Sequence, residues 1–161
     1  MTEIEKHYNK HKEENRLLTR HGKVEFTVAM KYIHDFLPAQ NKQFFKIADI
    51  GAGTGRYSVA LAKEGFDVTA VELVKHNLEI LESKHERVKC WPGNALDLSF
   101  LPDETFDATI LFGPLYHLHK EEEKLTALKE ARRITKKGGI IVAAYLLNEY
   151  SILSYCFSQN R

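Results

Sequence analysis

The chain has 161 residues, enough for one domain with a buried core, and a formal net charge of +1 from 23 basic and 22 acidic side chains. That balance leaves no electrostatic footprint for nucleic acid or for an anionic membrane surface. Cys90 and Cys156 are too far apart to form a Cys-x-x-C pair, so neither a disulfide framework nor a zinc site is indicated. No apolar run reaches the roughly 20 residues that span a bilayer. Residues 1–15 are polar, without the apolar stretch of a signal peptide. A soluble, cytoplasmic protein without membrane or nucleic-acid partners is expected.

Residues 2–20 are charge-rich, with Ile4, Tyr8, Leu17 and Leu18 as the apolar positions, and read as a helix or a partly ordered arm. His21-Gly22 reads as a break. Residues 24–37 read as an amphipathic helix with Phe26, Val28, Ala29, Ile33, Phe36 and Leu37 inward, stopped by Pro38. The arm, residues 1–38, is either a packing helix on a sheet or a lid. In the second case Tyr8, Arg16, Arg20 and Glu25 are the groups that face a ligand.

Residues 44–50 form an apolar run that reads as a buried strand, with Asp49 near its end. Gly51, Gly53 and Gly55 follow, and then a segment of helical spacing, residues 57–64. Strand, glycine turn and helix together make a loop whose backbone can approach a ligand closely. The helix start offers free N–H groups and a partial positive charge to an anionic group. Residues 67–72 are a second strand ending in Glu72, a carboxylate placed to accept hydrogen bonds from ribose hydroxyls. Residues 75–85 read as a helix with Leu78 and Leu81 inward, and 88–91 as a short third strand. The loop after it holds Asn94, Ala95, Leu96 and Asp97. Residues 105–112 read as a fourth strand, followed by the loop Gly113-Pro114-Leu115-Tyr116-His117-Leu118-His119. Residues 121–135 are a charged helix with Leu125, Leu128 and Ile134 inward, and the bases Arg132, Arg133, Lys136 and Lys137 complement its C-terminal dipole. Gly138-Gly139 reads as the turn into a fifth strand, residues 140–146. An apolar tail, 150–157, closes the chain.

Strands alternating with helices predict an α/β, doubly wound parallel sheet, with ligands beyond the carboxyl ends of its strands. The glycines are spaced G-x-G-x-G, and Arg56 stands where the dinucleotide fingerprint G-x-G-x-x-G has its last glycine. With Asp49 before them, Glu72, the Asn94 loop, the Gly113 loop and the Lys-Lys-Gly-Gly turn, residues 23–147 resemble the class I S-adenosylmethionine-dependent methyltransferases, in particular small-molecule enzymes of the type 11/type 12 domains. That resemblance implies a Rossmann-like sheet of order 3-2-1-4-5 over residues 39–161. It also implies S-adenosylmethionine as cofactor and methyl transfer to a small-molecule acceptor. By the same resemblance, Asp49, Gly51, Ala52, Gly53 and Gly55 hold the methionine end, Glu72 the ribose, and Asn94, Ala95 and Leu96 the adenine. Tyr57, Leu73 and Phe112 complete the cofactor pocket. Asn94 stands where the family often has an acid; its amide oxygen can accept the same hydrogen bond. The family adds an antiparallel strand pair at the sheet edge. Without the last two strands, the expectation is a C-terminally truncated domain that dimerises through the open sheet edge or the apolar tail.

The methyl donor is already activated, so alignment supplies most of the acceleration and a base is needed only if the acceptor loses a proton. Tyr116 and His117 are the catalytic candidates, with His119 equally readable as a surface histidine. His117-x-His119 offers two metal ligands at most, and no metal is expected. Two other functions stay open at this point. One is a nicotinamide-dependent oxidoreductase, which lacks an evident Tyr-x-x-x-Lys pair here. The other is a non-catalytic module that binds S-adenosylmethionine or S-adenosylhomocysteine.

Overall fold

The computed structural model describes residues 20–145. Tyr8 and Arg16 of the arm, and the tail 150–157, lie outside them. Five parallel strands form one sheet: β1 (Lys46–Ile50), β2 (Asp67–Glu72), β3 (Val88–Pro92), β4 (Phe106–Leu111) and β5 (Thr135–Ala143). Their order is β3-β2-β1-β4-β5, as expected. β1 lies between β2 (Ile50 beside Val71) and β4 (Asp49 beside Ile110). The central strands are covered on both faces, which is why they read as continuous apolar runs rather than alternating ones.

The helices are α1 (Arg20–His34), α2 (Arg56–Lys63), α3 (Lys75–Ser83), α4 (Pro114–His117) and α5 (Glu121–Ile134). A 3-10 turn, Lys42–Phe44, leads into β1. Successive strand side chains point to opposite faces. On one face, Ile47, Val68, Ala108 and Ile110 pack with Met30 and Ile33 of α1 and Tyr57 and Leu61 of α2. On the other, Ala48, Ile50, Val71 and Leu111 pack with Ala127 and Ile134 of α5 and with Leu98, Leu101 and Leu115. Asp49 shares the face of Ile47, beneath α2. No helix among the described residues is long and apolar enough to cross a membrane.

Several local expectations differ from the structure. α1 runs through His21-Gly22, because its packing against the sheet outweighs the cost of about 1 kcal/mol for a helical glycine. It ends at His34. Pro38 disfavours helical backbone in the residue before it, and residues 35–37 finish in tight turns, with Phe36 N–H on Ile33 O and Leu37 N–H on His34 O. Val28 and Phe36 point outward, and Met30 and Ile33 are the buried positions. In α5 the small Ala127 and Ala131 face the sheet, and Leu125 is exposed.

The doubled glycine is not the turn into β5. The strand begins directly at the end of α5, and Gly138-Gly139 lies inside it. Phe106 pairs with Thr135, but Ala108 pairs with Ile140, so residues 136–139 form a bulge. Gly138 takes φ +78, and a Cβ on Gly139 would come within 2.9 Å of Asp107 O. Lys136 Nζ closes the bulge onto Asp107 at 2.6 Å. A cavity of ≈ 250 Å³ opens beside it, lined by Arg132, Lys136, Lys137 and Glu104 among others. It lies at the amino end of β5, away from the glycine loop. Lys136 and Lys137 are already paired with Asp107 and Glu104.

Candidate functional site

The glycine loop leaves β1 in left-handed backbone: Gly51, Gly53 and Gly55 have φ +75, +58 and +81. L side chains avoid that region, so three glycines in five residues are a backbone requirement. Each glycine also has its own spatial reason. A Cβ on Gly51 would sit 2.5 Å from Pro114 Cδ, and one on Gly55 would sit within 3 Å of the Leu81 side chain of α3. A Cβ on Gly53 would meet nothing within 4 Å, so that part of the backbone faces open space. The loop is tied to β2 by Gly51 N–H and Ala52 N–H on Val71 O, at 2.8 and 3.1 Å, and to α3 by Lys84 Nζ on Thr54 O at 2.8 Å.

The loop after β4 meets it directly. A Cβ on Gly113 would lie 3.1 Å from Gly51 O. The two loops therefore wall one crevice at the carboxyl edge of β1 and β4. Gly113-Pro114 does not continue as open loop but starts α4, a single helical turn with Pro114 at its start and Leu115 buried. Tyr116 and His117 lie on this turn, both half-buried. His119 lies beyond it, exposed.

Glu72 is 5% exposed. Its Oε2 accepts from Gly53 N–H at 2.7 Å and its Oε1 from Val74 N–H at 2.8 Å. Burial raises its pKa against the pull of these donors. Asp49 is 2% exposed and accepts from Ser58 Oγ at 2.5 Å. Burial pushes its carboxyl up to about 6, with the nearby Glu72 charge adding to that, while the hydroxyl and backbone N–H of Ser58 oppose it. Two carboxylates with raised pKa values thus sit at the base of the crevice, as is common where charge is handled.

At the β3 side, Asn94 Oδ1 accepts from Leu96 N–H at 3.0 Å, which leaves one lone pair of that oxygen for a ligand. Asp97 Oδ1 accepts from Ser99 N–H, so Asp97 shapes the loop. Ala95 is buried, Leu96 half-buried, and Leu73, next to Glu72, is 43% exposed. On the α2 side, Tyr57 stands edge-on to Phe112 at 5.0 Å and tilted against Phe26 of α1 at 5.1 Å. Arg56 lies over the Phe26 ring at 4.5 Å. α1 packs against this wall through Phe26.

The structure thus gathers Asp49, the glycine loop, Glu72, Leu73, Tyr57, Phe112, Tyr116 and His117 at the carboxyl ends of β1, β2 and β4, and the Asn94 loop beyond β3. Sequence reasoning missed Ser58, Lys84 as the tie to Thr54, Pro114 as the stop under Gly51, and Phe26 as an aromatic wall; Leu81 was expected inward, but not as the neighbour of Gly55. Only Ser58 had a local signal: a hydroxyl in the first turn of a helix that follows an acid-bearing strand.

The methyltransferase-domain family matches residues 48–143, from β1 through β5. Over 101 residues the chain is 39% identical to demethylmenaquinone methyltransferase of Bacillus licheniformis, covering 58% of this chain and 41% of that protein. It is 38% identical over 103 residues to cypemycin N-terminal methyltransferase of a Streptomyces species, covering 62% and 40%. The chain therefore spans about two fifths of the length of these relatives. Among solved structures, the PH0226 protein of Pyrococcus horikoshii superposes with a TM-score of 0.76 over 97% of this chain and 72% of that one, at 21% identity, a likeness of fold. An S-adenosylmethionine-dependent methyltransferase of Thermotoga maritima, described as a possible histamine N-methyltransferase, gives a TM-score of 0.61 at 28% identity, covering 81% and 56%. With the family match spanning the whole sheet and its glycine loop, the chain belongs to the methyltransferase-domain family, the class I S-adenosylmethionine-dependent methyltransferases.

Proposed function

We propose that this chain transfers the methyl group of S-adenosylmethionine to a small-molecule acceptor. The observation that carries the reading is the contact of Gly51 with Gly113 and Pro114, which joins a ligand-approaching loop to the turn that bears Tyr116 and His117. The residues fit the cofactor: Gly53 presents bare backbone to open space, and Glu72 and Asp49 place two carboxylates beneath a ligand with cationic centres. When bound, the cofactor supplies a methyl group already activated on a sulfonium. The chain's own work is to bind, align and exclude water.

In this reading Asp49 and the backbone of Gly51, Ala52, Gly53 and Gly55 hold the methionine end. Glu72, held at the end of β2 by the N–H groups of Gly53 and Val74, accepts from the ribose. Leu73, Ala95 and Leu96 sandwich the adenine, and Asn94 accepts from its amino group. Tyr57 and Phe112 form an apolar wall that lowers the local dielectric. Tyr116 lines the acceptor side. His117 takes a proton at an imidazole nitrogen where the acceptor must lose one. The near-neutral charge and the names of the two relatives, a demethylmenaquinone methyltransferase and a cypemycin N-terminal methyltransferase, favour an acceptor other than nucleic acid.

Calorimetric titration with S-adenosylmethionine, S-adenosylhomocysteine and NAD tests the cofactor; the first two are expected to bind and NAD is not. Failure of both sulfur nucleosides to bind overturns the reading. Labelled-methyl transfer to a panel of small metabolites then separates an enzyme from a binding module. β5 is an edge strand among the described residues, with Ile141 36% exposed and Tyr145, two residues past its end, 54% exposed. Self-association through that edge is part of this proposal, and a monomer at all concentrations in sedimentation contradicts it.

A further inference from the structure

Asp49 is a buried carboxylate with no counter-ion among the described residues. No ion pair among them reaches it, and the charge that bears on it, Glu72 from β2, has the same sign. The other elements around it contribute little charge. β4 places Ile110 beside it in the sheet, and α1 lays Phe26, Met30 and Ile33 on the same face. α2 contributes Tyr57, and Arg56 is turned to the Phe26 ring. α4, which meets the loop at Gly51, bears Tyr116 and His117. Against this background one residue addresses the carboxylate twice. Ser58, 0% exposed in the first turn of α2, gives Asp49 its hydroxyl at 2.5 Å and also its backbone N–H. A short bond from hydroxyl to carboxylate favours the charged form. It also fixes Asp49 against the end of the helix that the glycine loop begins.

We infer that Ser58 is a positioning residue that favours the charged form of Asp49 and aims it beneath the glycine loop, so that uptake of a cationic cofactor is coupled to deprotonation of Asp49. The inference rests on the cofactor reading above and adds to it the residue that sets its proton linkage. A ligand bearing an ammonium or a sulfonium brings the missing positive charge, and only the deprotonated carboxylate meets it.

The test is calorimetric titration between about pH 5 and pH 8 with S-adenosylmethionine, S-adenosylhomocysteine and 5′-methylthioadenosine. The last keeps adenine and ribose but carries no positive centre, so its profile reports the contribution of Glu72. In the unmodified chain the dissociation constants of the charged ligands, relative to methylthioadenosine, are expected to rise by up to tenfold per pH unit on the acid side of a midpoint near 6. In Ser58→Ala that midpoint moves up by about one pH unit, while the alkaline limit of affinity is kept. Ser58→Thr, which keeps the hydroxyl, returns the midpoint towards that of the unmodified chain. A parallel dependence for both charged ligands assigns the effect to the ammonium; dependence for S-adenosylmethionine alone assigns it to the sulfonium. A Ser58→Ala profile weakened equally at every pH shows a structural role and overturns the inference. Should that variant not fold, Asp49→Asn decides: the pH dependence relative to methylthioadenosine must vanish, and its persistence overturns the inference. Binding of all three ligands with the same pH profile refutes the inference and leaves the cofactor reading standing. Absence of binding by the two charged ligands refutes both.

Discussion

At the scale of single residues, Gly51 and Gly53 share a backbone conformation but not an environment. Alanine at Gly51 adds a Cβ that would overlap the Pro114 ring, on top of the positive φ. The two loops must separate, and we expect a loss of about 2 kcal/mol in stability together with weakened cofactor binding. Alanine at Gly53 meets no protein atom. Its cost in stability is the left-handed backbone alone, about 1 kcal/mol. The methyl nevertheless projects into the space the ligand is proposed to occupy, so affinity falls more than stability does. Melting temperature and calorimetric affinity measured on both variants check the contrast. Equal losses in both variants would mean that the loop senses only its own φ. The glycine loop and Glu72 were legible in the sequence because their chemistry is local: a spacing of glycines, an acid at a strand end. Lys84 on Thr54 and Pro114 on Gly51 are pairings across sequence separations that no spacing rule encodes.

At the scale of elements, the strands and long helices follow from apolar periodicity, and the misreadings occur where periodicity has nothing to act on. α4 is one turn long, too short to show a period. Gly138-Gly139 reads as a turn in sequence because a turn and a bulge ask the same thing of the backbone; pairing with β4 decides between them. Arg133 illustrates how an element is fastened rather than formed. It reads as a basic residue complementing a helix C-terminus, yet its guanidinium donates to Leu98 O at 2.7 Å, Leu101 O at 2.9 Å, Asp103 Oδ1 at 2.5 Å and Glu130. It binds α5 to the connection between β3 and β4, which carries the Asn94 loop. Arg133→Met removes these donors and keeps the stem. We expect a loss of about 2 kcal/mol, given the two backbone carbonyls left without their donor. Hydrogen exchange should show the segment from Leu98 to Asp103 opening first. Unchanged protection there would locate the fastening elsewhere.

At the scale of the whole molecule, the buried carboxylates couple stability to pH. The pKa of Asp49 is raised from 3.8 to about 6 by burial, so the folded chain holds a proton that the unfolded chain has already released between those values. Stability contributed by this site is therefore greatest below about pH 4 and falls as pH rises through 6, a cost of about 3 kcal/mol at neutral pH in the cofactor-free chain. Asp49→Asn removes that cost. It is expected to be more stable than the unmodified chain at pH 7.5, with the difference shrinking towards pH 4, while binding the cofactor less well. Denaturant unfolding of both proteins across that range measures it; a difference independent of pH would show that Asp49 stays charged throughout. Asp97 and Glu130, whose pKa values are lowered by Ser99 and by Arg133, act in the opposite direction and lose their favourable interactions as pH falls. The comparison with Asp49→Asn cancels them.

The packing of Gly113 and Pro114 on Gly51 also bears on how this scaffold can be altered. The glycine loop and the turn that begins α4 are a matched pair, fitted to within a methyl group. A graft that brings a new acceptor turn from a relative must therefore bring a small residue and a compatible ring at the positions of Gly113 and Pro114, or bring its own glycine loop as well. Exchange of both segments together should tolerate far more sequence variety than exchange of either alone.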